Sequence, residues 1–394
     1  MHRNLVAGLL EALEWSFGKD VYIDKVLEQL FRRNRRWGKR DRAFISEHAY
    51  TIVRNWRLLW HFTEMAPSLK RKDLWKLFVR YVQWKALPLP DWKEFEDLQD
   101  WSPPSMKDGP VELQESYPDW LAGRAQKELG AEDWEPLAKA LNEPPQMVGR
   151  TNTLRMERAE LLQRLKEEGA DVLPWEENES GLLFRERISV ARLNSFAEGL
   201  FEVQDGGSQQ IAPLLQVEAG MRIIDACAGA GGKSLHLAAL MKNKGQIHAM
   251  DVDERKLHEL QRRAKQQGVG IIDGQVISGT ALRSLDGWAD RLLLDVPCSG
   301  TGVIKRKPDT KWKLKPEYLD NILSTQSEIL DTYSSMLRPG GLMVYATCSI
   351  LPSENEEQVR SFLQQRLEFE LIHQERIPPR LGSDGYFAAL IKKS

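Results

Sequence analysis

The sequence predicts an α/β protein with a mostly parallel, Rossmann-like sheet at its C-terminal end. A small α+β unit and an all-α N-terminal domain precede that sheet. Three observations predict this. From Phe201 onward strand-like and helix-like runs alternate, and "RLLLDVP" and "GLMVYAT" are near-continuously apolar, as parallel strands buried on both faces are. From about residue 147, shorter strand and helix patterns alternate, which suits a small α+β unit. Within the first 85 residues the apolar positions keep a helical period. The expected domains are residues 1–125, 126–200 and 201–394.

In chain order, "MHRNLVAGLLEALEWSFGKD" reads as a mature helix: Glu11 and Glu14 fall in helical register and no small-residue cleavage site follows. Ile45, Ala49, Ile52, Val53, Trp56, Leu59 and Trp60 mark one buried helix face. "RRNRRWGKRDRAF", broken by Gly38, predicts a basic loop between helices. From Val21 to Trp60, ten Lys/Arg stand against four Asp/Glu, in a chain whose net charge is -2. That local excess suits either a polyanionic partner or a solvated helix face. Residues 86–116, rich in Pro and Trp, predict an irregular connection, and "PDWLAGRAQKELG" and "DWEPLAKALNEP" predict short helices.

"MVGRTNTL" and "GLLFRERIS" follow as strands, with the helix "RAELLQRLKEEGA" between them closed by Gly169. Then come the strand "MRIIDACAG", the helix "KSLHLAALMKNKG", the strand "QIHAMDVD" and the helix "RKLHELQRRAKQQG". No apolar run reaches 18 residues, so no transmembrane helix is expected. Three cysteines are too few for a disulfide framework, which points to a reducing cytoplasm.

"IIDACAGAGGKS" puts a glycine-rich turn between a strand and a helix, where backbone N–H groups favour a close ligand. A P-loop would need glycine at Cys227, and a dinucleotide fingerprint begun at Gly229 and Gly231 would need glycine at Ser234. An S-adenosylmethionine turn is the third reading, with Asp251 at the next strand end suited to the ribose hydroxyls. An acid there also fits NAD, and a tight turn without ligand needs none of these.

Cys227, Cys298 and Cys348 each follow an apolar strand, so all three are expected at the edge where the carboxyl ends of the strands open. Cys227, inside the glycine turn, reads as a small buried residue. "DVPCSGTG" and "ATCS" surround the other two with small residues that leave room for a flat substrate. No C-x-x-C occurs and the histidines are not spaced with the cysteines, so no metal site is expected.

"DACAGAGGKSLHLA", "AMDVDERKL", "LLLDVPCSGTGVIKRKPDTKW" and "YATCSILPSENEEQV" resemble, in order, the motifs of the RNA cytosine-C5 methyltransferases, the Nol/Nop/Sun family, and within it the bacterial RsmB branch. "FEVQDGGSQQIAPLL" and "DGYFAALIKK" also match its pattern, so the resemblance runs from about Glu202 to Lys393. "GKRDRAFISEHAYTIVRNW" is similar to the NusB-like RNA-binding domain found ahead of such catalytic domains.

The resemblance implies an S-adenosylmethionine-dependent enzyme that methylates cytosine in RNA, with 16S ribosomal RNA the expected substrate and a monomer the expected form. Cys348 is implied to be the nucleophile, Cys298 to help product release, Asp295 to contact the cytosine, and Lys233 to contribute at the base pocket. Cys227, Ala228, Gly229, Ala230, Gly231, Gly232, Lys233, Asp251, Arg255 and Asp295 are implied to hold the cofactor. Lys305, Arg306 and Lys307 would add charge near the RNA backbone, or form a solvated loop.

Two departures stand out. Ala230 replaces the proline common in the glycine turn. The third strand lacks the usual acid near its end: "VISGTALRSL" offers Gly279 and Thr280, and Asp273 is expected to precede the strand. The alternatives are a transfer-RNA enzyme of the same family, a non-catalytic RNA-binding or assembly factor, and an enzyme acting on protein or small molecules. Exocyclic N- or O-methylation needs no nucleophile, so the paired cysteines disfavour the last.

Overall fold

A computed structural model describes residues 1–98 and 101–394. The helical period of the N-terminal third is realised in the helices Arg3–Gly18, Ile23–Arg33, Lys39–Arg54, Trp56–Phe62 and Arg71–Trp84, which share one apolar core. All seven residues from Ile45 to Trp60 expected on the buried face are buried. Phe17 stacks on Trp56 with ring centroids 3.9 Å apart.

The basic loop is shorter than its sequence suggests. Arg32 and Arg33 close one helix, where cations complement the carbonyl end of the dipole, and Lys39 already opens the next. The Asp41 carboxylate accepts the Gly38 N–H at 2.9 Å and so starts that helix close behind the turn. Arg35, Arg36, Lys39 and Arg40 are exposed. In the Pro- and Trp-rich stretch, Trp92, Trp101 and Met106 pack against the helical core, and residues 99 and 100 lie outside the described residues.

The helical unit extends beyond residue 125. It takes in Met1–Asn142 together with Lys307–Lys315, so the expected boundary falls inside the helix Asp119–Leu129. That helix and Ala131–Asn142 bury Leu121, Ala125, Trp134 and Leu141, and Tyr117 meets Trp134 edge to face at 5.0 Å. Lys311 is fully buried and donates to Arg54 O at 2.8 Å, Glu115 O at 3.0 Å and Asn142 Oδ1 at 2.9 Å. Beside it, Trp312 Nε1 donates to Val53 O at 2.8 Å and Asp309 accepts Ile23 N–H at 2.6 Å. Lys311→Ala would strand three acceptors. We expect it to destabilise the full chain by about 3 kcal/mol, read from its denaturant midpoint.

The second unit comprises Glu143–Arg306 and Pro316–Ser394 and holds two sheets. The smaller is antiparallel, in the order β2-β3-β1-β4, from β1 (Met147–Thr151), β2 (Val172–Pro174), β3 (Gly181–Phe184) and β4 (Phe201–Val203). The helix Arg158–Glu167 contributes Leu161 and Leu165 to its core.

The larger sheet comprises β5 (Arg222–Asp225), β6 (Gln246–Asp251), β7 (Ile272–Val276), β8 (Ala289–Asp295), β9 (Leu337–Thr347), β10 (Phe369–Ile377) and β11 (Tyr386–Lys393). Its order is β10-β11-β9-β8-β5-β6-β7. The neighbours from β7 to β9 run parallel, and β11 pairs antiparallel with β9 and β10. This is the mostly parallel α/β sheet that the apolar runs predict. Strand order reverses between β5 and β8, and ligands of open α/β sheets bind beyond the carboxyl ends of the strands at such a point. Among the described residues no helix is long and apolar enough to cross a membrane.

Candidate active site

At that reversal a cavity of about 480 Å³ opens. Cys227 and Gly229 line it after β5, Asp251 at the tip of β6, Asp295 at the tip of β8 and Pro297 after it, and Tyr333 from the helix Pro316–Tyr333. Its size is that of a pocket for a drug-sized ligand.

The glycine turn is built for close approach. Gly229 has φ +56° with nothing within 4 Å of where a Cβ would stand, so its backbone faces open space. Gly231, at φ +86°, packs so closely on Leu260 that a Cβ would clash. Ala230 takes the place of proline without disturbing this turn: Gly231 N–H donates to Ala228 O at 2.9 Å. One Asp251 oxygen accepts Gly229 N–H at 2.9 Å, and the other accepts Asp253 N–H at 2.9 Å. The turn, the carboxylate and the cavity together fit S-adenosylmethionine. Among the described residues no cluster of His, Cys, Asp and Glu could hold a metal ion.

Arg255 is placed differently from expectation. Its guanidinium forks onto Asp253 at 3.0 Å for both contacts, and the side chain is 90% exposed. Lys256 lines the cavity instead, with its Nζ 3.5 Å from Asp251. Asp253 caps the helix Glu254–Gln267 by accepting Arg255 N–H, and Lys256, one residue on, is the side chain that reaches Asp251. Asp273 lies within β7 and not before it, is mostly exposed, and faces His248 at 3.4 Å. Ile277 and Leu282 supply the apolar wall on that side of the cavity. The side chain of Thr280 lies outside the described residues.

Lys233 and Asp295 meet at 2.6 Å, although 62 residues separate them. Burial works against the Lys233 ammonium, but the Asp295 charge and hydrogen bond, then Cys348 and Asp225, hold it above the usual lysine range. Asp225, under the turn, is pushed up to about 7 by burial, against the Ser234 hydroxyl that donates to it at 2.6 Å. Burial, with the carboxylates of Asp225, Asp295 and Asp251, keeps Cys227 a neutral thiol.

The sulfurs of Cys298 and Cys348 approach to 3.1 Å, and both residues are half-buried. Two glycines bring their loops together. Gly302 N–H donates to Cys348 O at 2.9 Å, Gly385 N–H donates to Gly302 O at 2.9 Å, and any Cβ on Gly302 would strike the Gly385 carbonyl. The hydrogen bond to Cys348, then burial, then the charges of Cys348 and Glu354, push the Cys298 thiol up.

Two of the cations expected near an RNA backbone are engaged internally. Lys305 is buried and donates to Arg380 O at 3.2 Å. Arg306 bridges Asp205 at 2.5 Å and Asp384 at 2.6 Å. Lys307 is exposed.

A glycine turn after β5, an acid at the end of β6 and a cavity at the strand reversal define a domain of the Rossmann-like S-adenosylmethionine methyltransferase class. Residues 212–390 match the family profile described as 16S rRNA methyltransferase RsmB/F, and residues 117–191 match that family's ferredoxin-like domain. The chain belongs to the RsmB/F family.

Among curated proteins it is similar to ribosomal RNA small subunit methyltransferase B of Yersinia enterocolitica, at 35% identity over 70% of this chain and 66% of that protein. The protein of that name from Escherichia coli is 36% identical over 70% and 66% of the two chains. A probable member from Bacillus subtilis is 31% identical over 71% and 66%. The match thus spans slightly less than two thirds of these relatives' own length.

Among solved structures, a methyltransferase homologue from Pyrococcus horikoshii is 27% identical with TM-score 0.64, over 72% of this chain and 98% of that one. The protein PH0851 shares the fold at 24% identity and TM-score 0.83, over 100% and 99% of the two chains. NSun6 from Pyrococcus horikoshii, solved with SFG, shares it at 22% identity and TM-score 0.65, over 71% and 99%.

Proposed function

We propose that this chain methylates carbon 5 of a cytosine in small-subunit ribosomal RNA, with S-adenosylmethionine as methyl donor and Cys348 as nucleophile. The observation that carries the proposal is the sulfur pair at 3.1 Å on the same sheet edge as the Lys233–Asp295 pair and the cavity. Family membership and the names of the curated relatives support the same substrate.

Carbon 5 of cytosine is a weak nucleophile, and covalent addition divides one hard step into easier ones. The Cys348 thiolate bonds to carbon 6, and the ring electrons move to carbon 5. Asp295 hydrogen-bonds the polar edge of the base, and Lys233, donating to it at 2.6 Å, keeps it oriented. When bound, S-adenosylmethionine supplies an electrophilic methyl group for the electron-rich carbon 5. Removal of the carbon 5 proton then returns an electron pair to the ring and expels Cys348 as thiolate. Cys298 is the group beside that sulfur. Once Cys348 is bonded to carbon 6 the Cys298 sulfur stays beside it; after its own thiol proton has passed to solvent, the Cys298 thiolate takes the carbon 5 proton and returns to the thiol.

Asp251 and the Gly229 backbone would hold the cofactor's ribose and methionine ends. The base must leave its stack to reach the sulfurs, so the target is a single-stranded or opened segment. Exposed Arg35, Arg36, Lys39 and Arg40 of the helical unit supply cations for RNA phosphates, with salt-dependent affinity.

The function is tested by bisulfite mapping of ribosomal and transfer RNA from a deletion strain. Loss of one 5-methylcytosine from 16S RNA is the expected result, and loss confined to transfer RNA would overturn the substrate. Cys298→Ala should accumulate a covalent protein–RNA adduct, seen as a retarded band on a denaturing gel. A variant that turns over normally without any adduct would remove Cys298 from product release.

A further inference from the structure

Glu354 is fully buried and ends the short helical turn Pro352–Glu354 that follows the Cys348 loop. Its Oε1 accepts Ser299 N–H at 2.7 Å and the Gln326 side-chain amide at 3.1 Å. Its Oε2 accepts the Ser299 hydroxyl at 2.5 Å and the Ser349 hydroxyl. Ser299 is the residue after Cys298, and Ser349 is the residue after Cys348. One carboxylate therefore grips the neighbour of each cysteine.

Asn355 reinforces the grip on the Cys348 side. It accepts the Thr347 hydroxyl at 2.5 Å and donates to Ser349 O at 3.0 Å. Tyr345 OH fixes the segment from below through Glu354 O at 2.7 Å. Among the described residues no cation pairs with the Glu354 carboxylate; it is satisfied by four donors from three residues. For stability alone a neutral side chain would meet these donors with a smaller desolvation cost.

We infer that Glu354 is the positioning residue of the two-cysteine centre: by tying Ser299 to Ser349 it fixes Cys298 and Cys348 at the separation their shared reaction needs. The kinetic consequence rests on the function proposed above, whereas the sulfur separation is measurable without methyl transfer. The Glu354 charge adds to the hydrogen bond, burial and Cys348 charge that keep Cys298 a thiol before the substrate bond forms.

The test uses the full chain with Glu354→Ala and Glu354→Gln. Diamide takes up the two thiol hydrogens and leaves a Cys298–Cys348 disulfide, so its rate reports how readily the sulfurs meet. Both variants should close that disulfide about tenfold more slowly than the wild type. Their kcat should fall about a hundredfold with KM for RNA and cofactor affinity unchanged, as expected for misplacement on the ångström scale. Glu357→Gln, at an exposed neighbour, should change neither reading. Glu354→Gln keeps the shape of the side chain, so it carries the test if Glu354→Ala does not fold. Wild-type closure in a folded Glu354 variant overturns the inference. Slowed closure supports it even if the wild-type chain methylates no cytosine, an outcome that defeats only the proposed function.

Discussion

Cys348→Ala is expected to lower methyl transfer to RNA by about 10⁴-fold or more while S-adenosylmethionine binds as in the wild type. The size follows from removing the only atom that bonds to carbon 6: nucleophile knockouts remove nearly all covalent catalysis and leave only binding and preorganisation. Cofactor affinity should hold because Cys348 does not line the cavity, which is walled by Cys227, Gly229, Asp251 and Asp295. Incorporation of labelled methyl groups into RNA gives the rate, and calorimetric titration gives the affinity. A Cys348→Ala protein that still transfers methyl at more than a few per cent of the wild-type rate would rule out the adduct. Loss of cofactor binding along with activity would instead show that the thiol shapes the cavity.

Lys233→Met is the second large effect. Methionine is close to lysine in length, so packing under the glycine turn is largely retained while the charge is lost. Asp295, which faces Lys233 at 2.6 Å, then lacks the cation that aims it. A preorganised group of this kind is worth about 10²–10³ in kcat. The decrease should appear in kcat, with KM for RNA nearly constant. Asp295→Asn should lower kcat to a similar degree, and the double variant should cost much less than the product of the two, because the pair acts as one unit. Additive losses would show that the two side chains act separately.

These variants rest on residues of unequal legibility. The apolar runs ending at Asp295 and Thr347 declare buried parallel strands, because only a strand covered on both faces tolerates such continuity. Reading β8 and β9 that way already places Cys298 and Cys348 at strand tips. β10 was not legible as a strand. It is an edge strand with five consecutive exposed residues and a register shift between Leu371 and His373, so its sequence carries no clean alternation.

Lys305, Arg306 and Lys311 form one basic run in the sequence. Folding divides them: Lys305 and Arg306 bind carbonyl and carboxylate groups in one unit, and Lys311 is buried in the other. A cation's local sequence records its charge and not the acceptors that distant segments bring to it.

By itself the sequence determined the α/β class, the glycine turn between β5 and its helix, and three cysteines at the ends of parallel strands. These follow from local periodicity and from the pleat, which act over a few residues. Only the tertiary structure decided that the sulfurs of Cys298 and Cys348 stand 3.1 Å apart, that Lys233 meets Asp295, and that Lys256 lines the cavity where Arg255 was expected. It also decided that Glu354 grips both cysteine loops. Each of those pairings joins side chains whose distance is set by strand order and loop closure, which no single stretch of sequence contains.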